Sequence, residues 1–276
     1  MNEDNSQTRI DFGNDNDKKT VKRSFLSNFI MGLQFYSRLS FGAKKYETPN
    51  LSRIAPALAF VSIIIAIFPA ILLFAGVTIG LPTLFSAGLA IIAWVLITGA
   101  MAEDAIADSA DGLFGGHSVE QRLKIFKDST LGTYGVSALV IFIAMRIFAY
   151  AGIATSSPLM AACLFIGVSV LARSSALWLV IKLPPARSDG VSASIGQLSK
   201  PAFYIGMAFA IVVSFSLIIP FVEVTYFIAA IAVILVINYA WSLLCKSKVN
   251  GQTGDLIGGL QALTELGILC VFLVAT

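Results

Sequence analysis

Residues 56–79 read PALAFVSIIIAIFPAILLFAGVTI, a run without a single charged side chain. A helix rising 1.5 Å per residue over that stretch is longer than the roughly 30 Å of hydrocarbon in a bilayer. Working outward, similar runs recur near 84–102, 133–154, 159–182, 202–221, 225–245 and 255–275. Each is close to the length that one crossing needs, so the expected fold is all-α, a polytopic membrane bundle of about seven transmembrane helices. The second span is expected to be short, because it runs into carboxylates. Of the 276 residues, 57% are hydrophobic and only 13% charged, against about 25% charged in a soluble domain. Short connections leave no room for a separate globular unit, so residues 21–276 read as one integral-membrane domain. Residues 1–20, MNEDNSQTRIDFGNDNDKKT, are too polar to bury a core and are expected to be disordered. They also lack an apolar stretch followed by a cleavage site, so no cleavable signal is expected. Between Ser24 and Leu39, Phe25, Phe29, Leu33 and Tyr36 recur at helical spacing beside basic residues, the pattern of an amphipathic helix lying in the membrane interface.

The formal net charge is +3, and its distribution says more than its size. Lys and Arg crowd the N-terminal region up to Arg53, then recur as Arg122, Lys124 and Lys127, as Arg187 and Lys200, and as Lys246 and Lys248. The alternate connections, around Pro82, Thr155 to Pro158 and Phe221 to Thr225, carry none. By the positive-inside rule the basic connections are cytoplasmic, and the chain is expected to be multi-pass in a bacterial cytoplasmic (inner) membrane. This sorting leaves no basic stripe for nucleic acid. Cys163, Cys245 and Cys270 lie in or at the ends of apolar runs, with no spacing that suggests a metal knuckle or disulfide framework. A homo-oligomer is compatible with the sequence, which does not decide it.

The chemistry is concentrated at 98–135, TGAMAEDAIADSADGLFGGHSVEQRLKIFKDSTLGTYG. At 100° per residue, Asp104, Asp108 and Asp111 fall on one face of a continuing helix, where they repel one another. Carboxylates near a membrane are costly unless compensated. A divalent cation resolves both problems, and an oxygen-only donor set favours Mg²⁺, or Mn²⁺, over zinc. Asp111-Gly112 is expected to end the helix, with Gly115-Gly116 turning beyond it. Ser118 with Gln121 has the form of a capping box for a short helix bearing Arg122, Lys124 and Lys127, which leads to Asp128. Acids, glycine turn, bases and acid again suit a metal-bound diphosphate, with Lys127 a candidate contact to it. The same residues also suit a solvated acidic loop, or an ion-coupled transporter, and their spacing alone does not choose.

These residues resemble the signature of the cobalamin synthase family, the adenosylcobinamide-GDP ribazoletransferases, whose pattern runs approximately T-G-x-x-H-E-D-G-L-A-D-x-A-D-G and then R-x-x-I-M-K-D-S-x-x-G-T-Y-G. The corresponding stretches are TGAMAEDAIADSADG and RLKIFKDSTLGTYG. GLQFYSRLSFG at 32–42, Arg173, LPPARSDGVSAS at 183–194 and GQTGDLIGGLQALTE at 251–265 resemble further family elements in the expected order. Ala102 replaces a frequent His and Ala105 a usual Gly, with every carboxylate retained. The resemblance implies attack by a ribose hydroxyl of α-ribazole, or its 5′-phosphate, on adenosylcobinamide-GDP. GMP is released and adenosylcobalamin, or its phosphate, is formed. It also implies Mg²⁺ ligands among Glu103, Asp104, Asp108 and Asp111, and catalytic roles for Asp108, Asp111 and Asp128, the last as general base or second-metal ligand.

Charges inside spans need partners or ligands. Arg173 matches a family position and is expected to meet a substrate phosphate, whereas Arg146 is expected to be structural. Arg187, beside Pro184-Pro185, and Asp255, opening the last span, are candidate substrate contacts; an acidic helix cap is the alternative for Asp255. Glu265 is expected to pair with Arg146 or Arg173. His117, the lone histidine, reads as an exposed loop residue.

Overall fold

A computed structural model describes residues 24–39, 48–128, 130–187 and 198–276. The polar tail at 1–20 lies outside the described residues, as does most of the LPPARSDGVSAS element beyond Arg187. The described part is helical throughout, joined by short turns and one isolated bridge between Pro185 and Gln252.

The first helix, α1 (Phe25–Tyr36), begins at Ser24, whose hydroxyl accepts from the Leu26 N–H. Its Met31, Gly32, Leu33 and Tyr36 face inward while Phe25 and Leu26 stay exposed, the two-sided pattern expected of 24–39. A short α2 (Leu51–Ile54) and one 3-10 turn lead into α3 (Leu58–Thr78). Then come α4 (Thr83–Thr98), α5 (Met101–Phe114), α6 (Val119–Ile125), α7 (Thr133–Ser156), α8 (Pro158–Ala176) and the short α9 (Trp178–Lys182). The chain closes with α10 (Lys200–Ile218), α11 (Val224–Val249) and α12 (Gly254–Val274).

Among the described residues six helices are long and apolar enough to cross a membrane, and the bent pair α4–α5 makes a seventh if it counts as one broken span. The break explains the short second span. Gly99 and Ala100 both take left-handed φ, 68° and 61°, and α5 leaves at 85° to α4. A left-handed alanine costs roughly 1 kcal/mol, so the turn is held by tertiary contacts.

Helix α8 is the axis of the bundle, buried along most of its length against α3, α7, α10 and α12. The core around it is built from Leu58, Ile65, Trp94, Tyr150, Phe165 and Phe272. Outward, Phe68, Ile71, Val140, Phe148, Ile228 and Val236 are exposed. An apolar belt outside closed helices, whose backbone groups are satisfied within each segment, is the solution that lipid permits. The protein is an all-α polytopic membrane bundle.

Candidate active site

Turning at Gly99-Ala100 does more than shorten a span. It presses α5 against α7 and α12, and the four acids expected to act together meet different surroundings. Asp104 is exposed and Asp108 half-buried, one turn apart. Across from them, Asp255 in the first turn of α12 lies within electrostatic reach of both, and Asp108 also feels Asp111. The helix itself is fixed there: the Ser109 hydroxyl donates to the Asp255 carbonyl at 2.9 Å.

Asp111 has turned away. Its Oδ2 accepts from the Gly132 N–H at 2.7 Å and its Oδ1 from the Gly135 N–H at 2.9 Å. Both donors belong to the first turn of α7, where backbone N–H groups lack helical partners and the helix dipole favours an anion. A Cβ at residue 135 would collide with the Asp111 carboxylate, which is why glycine stands there. Because this carboxylate is occupied by α7, it does not break its own helix, and α5 runs on past Asp111-Gly112 to Phe114. The sequence had suggested a stop at that dipeptide. Asp111→Asn keeps one acceptor but turns an amide N–H₂ toward the second donor. It is expected to lower thermal stability by about 1–2 kcal/mol, read as the unfolding midpoint in detergent; an unchanged midpoint would refute the capping role.

Glu103 is also separated from the other acids of α5. Arg146 of α7 donates from Nη1 to Glu103 Oε1 and from Nε to Glu265 Oε1, both at 2.8 Å. All three residues are buried, and the guanidinium packs on the rings of Trp94 and Phe142. The triad ties α5, α7 and α12 together and gives Arg146 and Glu265 the structural pairing expected for them. Expected as a metal ligand, Glu103 is held instead in this interior pair.

Below the acids a cavity of about 470 Å³ opens between α1, α4, α5, α8 and α12. Asp104, Asp255, Arg173, Tyr36, Arg38 and Trp94 are among the residues that line it. Arg173 is only 3% exposed. Its Nη1 donates to the Ser62 hydroxyl at 3.2 Å, its Nε has no hydrogen-bond partner, and it lies between the Tyr36 and Trp94 rings. Among the described residues no carboxylate contacts it directly, although Glu103 and Glu265 act on it at longer range. Two arginines thus share two glutamates, and Arg173 keeps its Nε unpartnered. Burial pushes the Tyr36 phenol up to about 12, against the opposing pull of Arg173, so its hydroxyl stays protonated.

Arg187 reaches the site through a junction of two loops. The Ala186 N–H donates to the Gln252 carbonyl and the Gln252 N–H to the Pro184 carbonyl, at 2.8 and 2.9 Å. This brings the guanidinium near Asp255, with its Nε and Nη1 buried and unpartnered. The cap of α12 is Thr253, whose hydroxyl accepts from the Leu256 N–H, so Asp255 is free of that duty.

Residues 117–128 and Thr130 make none of these contacts among the described residues. Ser118 accepts from the Gln121 N–H and Gln121 Oε1 from the His117 N–H, so α6 has the expected cap and His117 is an exposed loop residue. Arg122 latches α6 to the carbonyls of Leu113 and Lys248. Lys127 is exposed at the end of α6. Asp128 is exposed, and its carboxylate accepts from the Thr130 hydroxyl and N–H at 2.7 and 3.0 Å. Those bonds, with Lys124 nearby, hold Asp128 below its ordinary pKa.

Among the described residues no three His, Cys, Asp or Glu side chains are gathered to hold a metal ion by themselves. The donors still fit magnesium chemistry: Asp104, Asp108 and Asp255 are oxygen donors only, and Mg²⁺ characteristically takes one or two carboxylates together with substrate phosphates rather than an all-protein cage. Reading the sequence overlooked Tyr36, Arg38 and Trp94 as site members. The signal was in the GLQFYSRLSFG stretch, whose Arg38 N–H donates to the Ile97 carbonyl at 2.8 Å and whose side chain packs over Gly99.

The family model described as cobalamin-5-phosphate synthase matches residues 28–273. An adenosylcobinamide-GDP ribazoletransferase of Azorhizobium caulinodans is 37% identical over 248 residues, 88% of this chain and 94% of its own. Its counterpart in Rhizobium johnstonii is 38% identical over 227 residues, covering 82% and 87%, and that of Sinorhizobium sp is 36% identical over 249, covering 89% and 95%. No solved structure matches. With the family model spanning nearly all of the membrane region, and with similarity running through the broken helix, the Arg173 cavity and the Pro185–Gln252 junction alike, the chain belongs to the cobalamin-5-phosphate synthase family.

Proposed function

We propose that the protein is an adenosylcobinamide-GDP ribazoletransferase acting at the cavity lined by Asp104, Asp255 and Arg173. The observation that carries this reading is found in a member of the family: carboxylates able to hold a cation and a buried guanidinium with an unpartnered Nε line the same small cavity. In the reaction, the oxygen of an acceptor ribose hydroxyl forms a bond to the cobinamide-proximal phosphorus of adenosylcobinamide-GDP. The phosphorus–oxygen bond to GMP breaks, the hydroxyl proton passes to a carboxylate, and no electrons are exchanged.

Asp104 and Asp108 would hold Mg²⁺, or Mn²⁺, with Asp255 alongside; when bound, the ion supplies neutralisation of the diphosphate and of the departing GMP. Arg187, next to Asp255, grips a diphosphate oxygen, and its planar fork suits that geometry. Asp255 lines the cavity and is the base best supported for the hydroxyl proton; Asp128, expected for that role, is engaged by Thr130. Lys127 adds positive charge on the approach. The basic connections all belong to the end that carries these residues, which supports a site facing the cytoplasm of a bacterial inner membrane.

Reconstituted protein given adenosylcobinamide-GDP, α-ribazole 5′-phosphate and Mg²⁺ is expected to release GMP in step with a new corrinoid. Cation flux into sealed vesicles with no GMP formed would replace this reading with a transporter.

A further inference from the structure

We propose that Arg38 is a positioning residue for the ion-holding acids: it clamps the Gly99-Ala100 corner from outside, and that corner decides where Asp104 stands. This deepens the ribazoletransferase reading and rests on it. Arg38 follows α1, and the turn that presents it is itself fixed. The Ser37 hydroxyl donates to the Leu33 carbonyl at 2.6 Å and accepts from the Leu39 N–H at 3.2 Å, so residue 38 is bracketed by the two bonds of one side chain. From there its N–H donates to the Ile97 carbonyl at 2.8 Å, one of the last-turn acceptors that α4 leaves without a helical partner.

The side chain adds a second hold. A Cβ built on Gly99 would lie 2.5 Å from the Arg38 Nε and 3.3 Å from its Cγ and Cδ, so the Arg38 stem runs directly over that glycine. Its charge is thereby placed at the C-terminal end of α4, where the helix dipole favours a cation. The corner needs such outside support. Ala100 is left-handed without a glycine's freedom, and no side chain caps the first turn of α5. Arg38 is exposed, so holding the corner is not a by-product of filling the core.

What hangs from the corner is the first of the acids. The Asp104 N–H donates to the Ala100 carbonyl at 2.8 Å, so a change in the dihedral angles at 99 and 100 is passed straight to the Asp104 backbone. Elsewhere α5 is already pinned: Glu103 to Arg146, Ser109 to the Asp255 carbonyl and Asp111 to the start of α7. Those bonds hold buried residues of the helix, whereas Asp104 is exposed and shares a cavity lining with Arg38 and Asp255. Mg²⁺ demands near-ideal octahedral geometry, and a misplacement of about 1 Å at such a site costs on the order of a hundredfold in rate. The charge of Arg38 works in the other direction, because a cation in the same lining repels a divalent ion. Position and charge therefore predict opposite signs for ion affinity when Arg38 is removed.

The test titrates Mn²⁺ alone into substrate-free protein in nanodiscs, read by electron paramagnetic resonance, and measures GMP release with both substrates and Mg²⁺, in wild type, Arg38→Ala and Arg38→Lys. In Arg38→Ala the Mn²⁺ dissociation constant is expected to rise about tenfold and kcat to fall about 10- to 100-fold, the range for losing a group that orients a metal ligand. KM for each substrate is expected to change little. Arg38→Lys keeps the stem over Gly99 and the cation at the end of α4, and is expected to recover most of the loss. Mn²⁺ affinity unchanged or tighter in Arg38→Ala overturns the proposal, because Arg38 then places no ion ligand. So does a raised KM with normal Mn²⁺ affinity, or a lysine variant as impaired as the alanine one, since either marks a guanidinium fork on a substrate phosphate. Failure of wild type to release GMP is a separate result that would sink the transferase reading, while the Mn²⁺ titration still reads the clamp.

Discussion

Asp108→Asn and Asp104→Asn are each expected to lower kcat by roughly 10²- to 10³-fold, the loss that follows when one group aimed at developing transition-state charge is removed. Folding should be spared. Asp104, Asp108 and Asp255 repel one another, so neutralising one of them relieves like-charge repulsion, and the unfolding midpoint is expected to hold or rise slightly. The Mg²⁺ concentration for half-maximal activity should rise as kcat falls, which separates loss of a ligand from loss of a base. GMP release measured across a Mg²⁺ titration reads both quantities. Wild-type turnover in either variant would show that these carboxylates hold no ion that matters to the reaction.

Arg146→Leu is expected to have the opposite signature, a loss of roughly 3–5 kcal/mol of stability, because truncating one member of a buried ionic group strands the others. Glu103 and Glu265 would then be two buried carboxylates with no cation between them, held within helices that cannot separate. Replacing the whole group, as Arg146→Leu with Glu103→Gln and Glu265→Gln, removes the stranded charges and is expected to recover most of that stability. Differential unfolding in detergent compares the two. A triple variant no more stable than the single one would mean that Arg146 acts through packing on Trp94 and Phe142 rather than through charge.

These two expectations divide residues that looked alike in the sequence. Glu103, Asp104, Asp108 and Asp111 form one acidic string, and helical periodicity put three of them on one face. Periodicity describes a helix in isolation. Once α5 is packed, Glu103 meets Arg146, Asp111 meets the open N–H groups of α7, and only Asp104 and Asp108 remain directed to the Asp255 side. Asp128 followed the same motif, but its nearest donors are those of Thr130, a local bond that no long-range reading would reveal.

What the amino-acid order determined alone was the solvent of this protein and the end of the bundle where its chemistry lies. Apolar runs of spanning length and basic loops on alternate connections follow from transfer free energies, which each segment expresses by itself. The family likeness was legible for a similar reason, because its motifs are contiguous. Which acids face a cavity, which are neutralised inside, and that Tyr36 meets Arg173 from far away in the chain, were settled only by tertiary structure. A charge in a low-dielectric interior takes its role from whichever partner lies within a few ångströms, and that distance is set by packing between helices far apart in the chain.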